Sequence, residues 1–453
     1  MNIYNDMAEV FSEKRKRSFL FLQFIASPFA WKLGRALKGR GHDVCRVNFC
    51  GADILFWPFG ARWYRHGLEA WPAYLTRLVR EEGITDILLF GDARPFHRAA
   101  LDAVQHLPIR VHVFEEGYFR PHWITMEKEG TNGWSSLPRT PEGLKRLAAT
   151  LPSPDETALV AGGAGRRAWF EIGAAMASAL MRPVFPRYRR HRQQLPLIEG
   201  LGWLRRFATG AFRSRHMKCV YERIISEGRP YFLFPLQLPG DSQIKVHSPF
   251  RSMTEALDRV LESFGRCAPA DTLLVVKRHP LDNAVFDFEK YTLDQATRLG
   301  IASRVIFLDG GHLPTLIRRS RGMVTVNSTA GIQALHHQCP TKTLGKAIYD
   351  LPGLTSRRSL DEFWLDPDCP DAEFFATFRH AVMGATQING NFYTPLGIRR
   401  AVEGALARLE VAEPEVIRIS ARGSRPLPAA PAPAPLVSPR FAMRSYPRQD
   451  ERR

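Results

Sequence analysis

Short, almost wholly apolar runs, each followed by a turn and an amphipathic stretch, occur in two separate series along this chain. The first comprises RSFLFLQ (17–23), VCRVNF (44–49), DILLFG (86–91) and RVHVFEEG (110–117), with helical patterns at 28–40, 71–82 and 94–106. The second comprises PYFLFPLQ (230–237), TLLVVKRHP (272–280), RVIFLDG (304–310), GMVTVNST (322–329) and TKTLG (341–345), with helical patterns at 253–264, 313–321 and 331–338. Runs this short and apolar leave no solvated face. They predict parallel, doubly wound α/β sheets covered by helices on both sides. A chain of 453 residues is too long for one ordinary core and suits two such halves.

The expected organisation is a flexible N-terminus (1–16), an N-terminal Rossmann-like half (17–150), a basic helical bridge (151–225), a second Rossmann-like half (226–390), a closing helix (391–419) and a disordered Pro/Ala/Arg tail (420–453). The net charge of +18 is concentrated. Residues 182–223 hold eleven Lys/Arg against Glu199 and Glu222, a net of +9; residues 420–453 hold seven Arg against Asp450 and Glu451, a net of +5. In the bridge, Phe185, Tyr188, Trp203, Leu204, Phe207 and Phe212 interleave with the arginines, as in an interfacial membrane helix. A solvated basic face is the plainer reading. No run of about 18 apolar residues exists, so no transmembrane helix is expected. The first residues lack the apolar stretch of a secretory signal. Cys45, Cys50, Cys219, Cys267, Cys339 and Cys369 form no CxxC pair, which fits a reducing, cytosolic setting.

Ligands of doubly wound sheets bind at the carboxyl ends of strands, so chemistry is sought there. Five strand ends carry it. Glu115 and Glu116 follow an apolar strand, point to opposite faces, and offer a carboxylate whose pKa apolar neighbours can raise into general-base range. The same triplet at Glu81, Glu82 and Gly83 ends a helix and reads as a plain cap. Lys277, Arg278, His279 and Pro280 put cations at a second-half strand end, suited to a phosphate. Asn327, Ser328, Thr329, Gly331 and Gln333 lie where a strand turns into a helix, an N-cap or an anion site at which Gly331 would let a ligand approach closely. Gln237, Asp241, Ser242 and Gln243 offer donors and one potential nucleophile, or simply a turn. Asp92, Arg94 and His97 could hold acceptor or sugar. Acids in the first half and cations in the second suit a two-domain glycosyltransferase. No DxD-like motif stands at a strand end, so the donor's charge is expected to fall to His279, Lys277 and the helix dipole, with no metal.

The segments FLQ…SPF, GHDVCRVNFCGAD, ILLFGDARPFHR, VFEEGYFRPHWIT, PLQLPGDSQI, KRHPLD, NSTAGIQAL and GKAIYDLPGLT, over 17–360, resemble the capsule polysaccharide biosynthesis/export family of Gram-negative bacteria. In particular they look like the retaining β-Kdo transferases that start the poly-Kdo linker on phosphatidylglycerol. More distantly they are similar to bacterial GT-B sialyltransferases. The resemblance implies a GT-B-like fold and a CMP-β-Kdo donor. The acceptor would be phosphatidylglycerol or its lyso form, at the cytoplasmic face of the inner membrane. Possible partners are the linker-extending Kdo transferase and the capsule export complex. Glu115 and Glu116 would take the acidic role, His279, Ser328 and Thr329 would contact CMP, and Asp241 would be the nucleophile of a double displacement. A transferase with another nucleotide-sugar donor and a non-catalytic export subunit are the competing readings. No nucleic-acid module is readable.

Overall fold

The computed structural model describes residues 16–155, 159–188, 202, 206 and 215–410. The tail and most of the basic bridge past Tyr188, with its arginines 189, 190 and 192, lie outside the described residues. The described chain falls within one compact unit, Met1–Val411, and holds two sheets.

The first sheet has seven strands in the order β12-β6-β5-β4-β1-β2-β3. β1 (Ser18–Phe21), β2 (Asp43–Asn48), β3 (Arg62–Trp63), β4 (Asp86–Phe90) and β5 (Arg110–Glu116) are parallel. Two edge strands correct the expectation of a purely parallel sheet: β6 (Trp123–Lys128) pairs antiparallel with β5, and β12 (Gln387–Asn389) antiparallel with β6. The physical reason lies in the link between β5 and β6, which is too short for a crossover helix. The second sheet is all parallel, in the order β11 (Thr341–Thr343), β10 (Gly322–Thr325), β7 (Tyr231–Pro235), β8 (Leu273–Lys277), β9 (Val305–Leu308).

The uniform apolar runs are explained by burial: Phe19, Leu20, Phe21, Leu88, Leu89, Phe232, Leu233, Val275 and Val276 expose nothing. Each such side chain contributes roughly 1.5–3 kcal/mol. The chain crosses back before residue 391, because β12 already belongs to the first sheet. The closing helix Pro395–Leu409 then sets Ile398, Ala401 and Ala405 into the core around Phe19, Phe29 and Leu33. The halves share an apolar seam of Tyr118 and Leu144 with Ile332, Tyr349 and Phe375. At the amino ends of the first-sheet strands, Asp86 takes hydrogen bonds from Arg17, Arg110 and His112. Burial pushes its carboxyl up, and the bonds from His112 and Arg17 more than reverse this, leaving it well below the usual range.

Candidate active site

Groups at the carboxyl ends of the two sheets come within electrostatic reach of each other, Asp241 of Glu115 and Arg120 of His279. β5 ends in Glu115 and Glu116, and strand alternation sends them opposite ways. Glu116 turns to the closing segment: the Tyr393 hydroxyl donates to its Oε1 at 2.6 Å and Arg167 Nη1 at 3.1 Å. Glu115 takes no hydrogen bond from another described residue. Its Oε1 would lie a tight 3.1 Å from a Cβ placed on Gly91, whose φ of +73° itself favours glycine. Glu115 retains some open surface, yet the surrounding protein excludes enough water to push its carboxyl up to about 8. Asp92 adds to the rise, Arg94 and Arg120 oppose it, and Asp241 of the second half raises it further. The other EEG triplet is a helix end as expected: Gly83 has φ +55°, and Glu82 pairs with Arg62 at the surface.

Asp92 and His97 are fully buried and do not reach solvent, so they cannot hold an acceptor directly as expected. The Thr131 N–H donates to Asp92 Oδ2 at 2.8 Å, and burial raises the Asp92 carboxyl. His97 Nδ1 lies 2.6 Å from the Gly91 carbonyl, and burial holds the ring neutral, at about 3. Asp92 lies within electrostatic reach of Glu115. Of this group, only Arg94 is part-exposed, with its guanidinium over Phe90 at 5.4 Å.

In the second half, Gln237 ties two strand ends together. Its Nε2 donates to Asp241 Oδ2 at 3.2 Å and to Asn327 Oδ1 at 3.0 Å; its Oε1 accepts from the Asn327 N–H. Asn327 Nδ2 donates to the Gln243 carbonyl at 2.9 Å. Asp241 also caps the helix Ser242–His247, its Oδ1 accepting from the Gln243 N–H at 2.9 Å. Asp241 is thus the turn and cap residue of the plainer reading, and its carboxylate lies within electrostatic reach of Glu115.

His279 and Lys277 follow β8. Lys277 is buried, and desolvation lowers its pKa against the pull of Asp309. His279 was expected as a cation. Burial, then Arg120, Lys277 and Arg167, push it down to about 4, so it is neutral at pH 7 in the ligand-free protein. Its Nδ1 accepts the Leu281 N–H at 3.1 Å, which leaves Nε2 as the protonated donor. Pro280 is exposed beside it.

The helix start after β10 differs from expectation in three ways. Thr329 makes no side-chain cap; the Ser328 Oγ accepts from the Ala330 N–H at 3.2 Å instead. The N–H groups of Ser328 and Gly331 are likewise engaged inside the turn, so fewer donors remain for an anion. Gly331 is required by Tyr349, whose hydroxyl would lie 2.2 Å from an added Cβ, not by a ligand. Gln333 is exposed on that helix. Sequence reasoning missed Arg120, Arg167, Arg206 and Tyr393. Arg120 stands inside the quoted VFEEGYFRPHWIT run. Arg206 comes from the basic bridge to donate to the Asp282 carbonyl and to Asp309, both at 2.9 Å. Among the described residues, no group of three or more His, Cys, Asp or Glu is placed to hold a metal ion.

Residues 85–393, which carry every one of these strand ends, match the family model "Capsule polysaccharide biosynthesis protein". This chain belongs to the capsule polysaccharide biosynthesis family. It is 34% identical over 383 residues to "Capsule polysaccharide export protein KpsS" of Escherichia coli, covering 83% of this chain and 97% of that protein. It is 33% identical over 396 residues to "Capsule polysaccharide modification protein LipB" of Neisseria meningitidis serogroup B, covering 83% and 92%. A solved structure, "Thermosulfurimonas dismutans KpsC, beta Kdo 2,7 transferase", is 14% identical with a TM-score of 0.39, covering 87% of this chain and 100% of that one. Glu115 and Asp241, which come from different halves, both lie within the matched residues and within electrostatic reach of each other.

Proposed function

We propose that this capsule-family protein is a retaining glycosyltransferase. It transfers Kdo from CMP-β-Kdo to phosphatidylglycerol or its lyso form, starting the β-Kdo linker on which capsular polysaccharide is built and exported. The observation that carries this is that Glu115 and Asp241, from different halves, lie within electrostatic reach of each other: one carboxyl is pushed up to about 8, the other is hydrogen-bonded by Gln237 and Gln243. Two carboxyl groups in unlike environments are what a double displacement needs. Asp241 attacks the anomeric carbon of Kdo, and the bond from that carbon to the phosphate oxygen breaks with its electron pair leaving on CMP. Ionised Glu115 then takes the proton of the acceptor hydroxyl. That oxygen attacks the anomeric carbon, breaks the ester to Asp241, and Glu115 passes its proton to water. Lys277 and His279 Nε2–H face the departing phosphate, and no divalent ion takes part. The setting is the cytoplasmic side of the inner membrane, where the linker-extending transferase and export assembly would receive the product.

The test is donor selectivity. Release of CMP from CMP-β-Kdo should exceed release of UDP from UDP-hexoses, and should persist in EDTA. His279→Ala should weaken CMP binding by about 1–3 kcal/mol. Turnover of a UDP-sugar instead, or a strict Mg²⁺ or Mn²⁺ requirement, would overturn the reading.

A further inference from the structure

The helix Ala164–Leu180 has two unlike faces. One is fastened to the helix Gly51–Phe56. Phe170 meets Phe56 edge-on at 5.6 Å, the Ala52 N–H donates to Ser178 Oγ at 3.2 Å, and a Cβ on Gly51 would come within 2.0 Å of the Ala177 carbonyl. The other face carries Trp169, Ile172, Met176 and Leu180, which are 74%, 51%, 68% and 80% exposed. Their spacing of three, four and four residues places them in one stripe. Leu55, 48% exposed, lies over Gly173 and extends this surface, and Phe59 nearby in sequence is 74% exposed. Isolated apolar side chains at a surface are ordinary, whereas a contiguous stripe on one helix marks an interaction site.

The charges at the helix ends indicate the occupant. Arg166 at its start and Arg182 and Arg187 past its end are exposed, and the sequence that follows to residue 223 carries a net charge of +9 with Arg182 and Arg187 included. No helix among the described residues is long and apolar enough to cross a membrane. An apolar stripe rich in Trp, Met and Leu, flanked by arginines, fits the interfacial layer of an anionic bilayer. We infer that this helix lies in the plane of an anionic lipid surface, with Trp169, Ile172, Met176 and Leu180 buried among the acyl chains and Arg166, Arg182 and Arg187 among the headgroups. Arg167 links the stripe to the site, because it bonds Glu116 and sits within electrostatic reach of His279. A lipid acceptor would thus rise from the bilayer beside Glu115. The inference stands on the exposed face and its charge, and it survives a change of donor.

The full-length protein is sedimented with vesicles containing phosphatidylglycerol and with vesicles of phosphatidylcholine alone, at low salt. Wild type should bind the anionic vesicles and bind the zwitterionic ones weakly. The triple variant Trp169→Ser, Met176→Ser, Leu180→Ser should lose binding by at least about tenfold, with an unchanged circular dichroism melt. Release of CMP by the soluble enzyme should be unaffected, which separates failure of this inference from failure of the donor assignment. Trp169→Phe should keep binding and lose most of the tryptophan blue shift seen on anionic vesicles. Unchanged vesicle binding by the triple variant would overturn the inference. So would a lipid-free dimer of wild type that the variant converts to monomer, because the stripe would then be a self-association face.

Discussion

Glu115 and Glu116 are neighbours in sequence with different fates. Glu116 is held by Tyr393 and Arg167, while Glu115 is left in a desolvated place beside Asp92 and Asp241. Glu115→Gln should cut transfer by about 10²–10⁴, the range of a lost general base. Glu116→Gln should cost far less, because Gln keeps an acceptor for Tyr393. Comparable losses in both would contradict the assignment. The pH dependence has a definite sign. A base raised from 4.5 to about 8 is ionised only above that, so kcat/KM should rise with pH through about 8. The same shift makes the folded protein bind more protons than the unfolded chain between those values. Stability therefore falls as pH rises across that window, and Glu115→Gln should flatten that fall in thermal melts. Strand alternation in the sequence implied that one of the pair can face the cleft while the other turns away. It could not show which, because the partners of Glu116 lie on a distant helix and just before the closing one.

Helices and strands were legible where apolar runs were short and bounded by Gly or Pro. The edge strands were not, since β12 is three residues long and its register with β6 is set by tertiary pairing alone. The role of Gly331 was misread for a related reason. A glycine at a helix start looks like room for a ligand, but the space belongs to Tyr349, whose hydroxyl donates to the Ser328 carbonyl at 2.5 Å. Gly331→Ala should push Tyr349 off that carbonyl and destabilise the protein by about 1–3 kcal/mol. A melt identical to wild type would show that Tyr349 moves at no cost. Gly51→Ala should likewise loosen the helix Ala164–Leu180. Limited proteolysis should then cut that helix earlier than in wild type, and equal rates would contradict the close packing seen there.

Across the whole molecule, Glu115 and Glu116 end a first-sheet strand, while Lys277 ends and His279 follows a second-sheet strand, with His279 neutral where a cation was expected. What sequence did not show is how the halves are tied. Arg206 reaches back from the bridge to Asp309, β12 joins the first sheet, and Tyr393 reaches Glu116. These contacts join residues far apart in the chain and leave no local pattern. The central claim is that these parts together transfer Kdo to a lipid. It is tested most directly by incubating the protein with CMP-β-Kdo and phosphatidylglycerol vesicles and weighing the lipid by mass spectrometry. The account predicts a lipid heavier by Kdo with wild type and none with Glu115→Gln. An unmodified lipid with active, folded wild type, or an equal yield from both proteins, would contradict it.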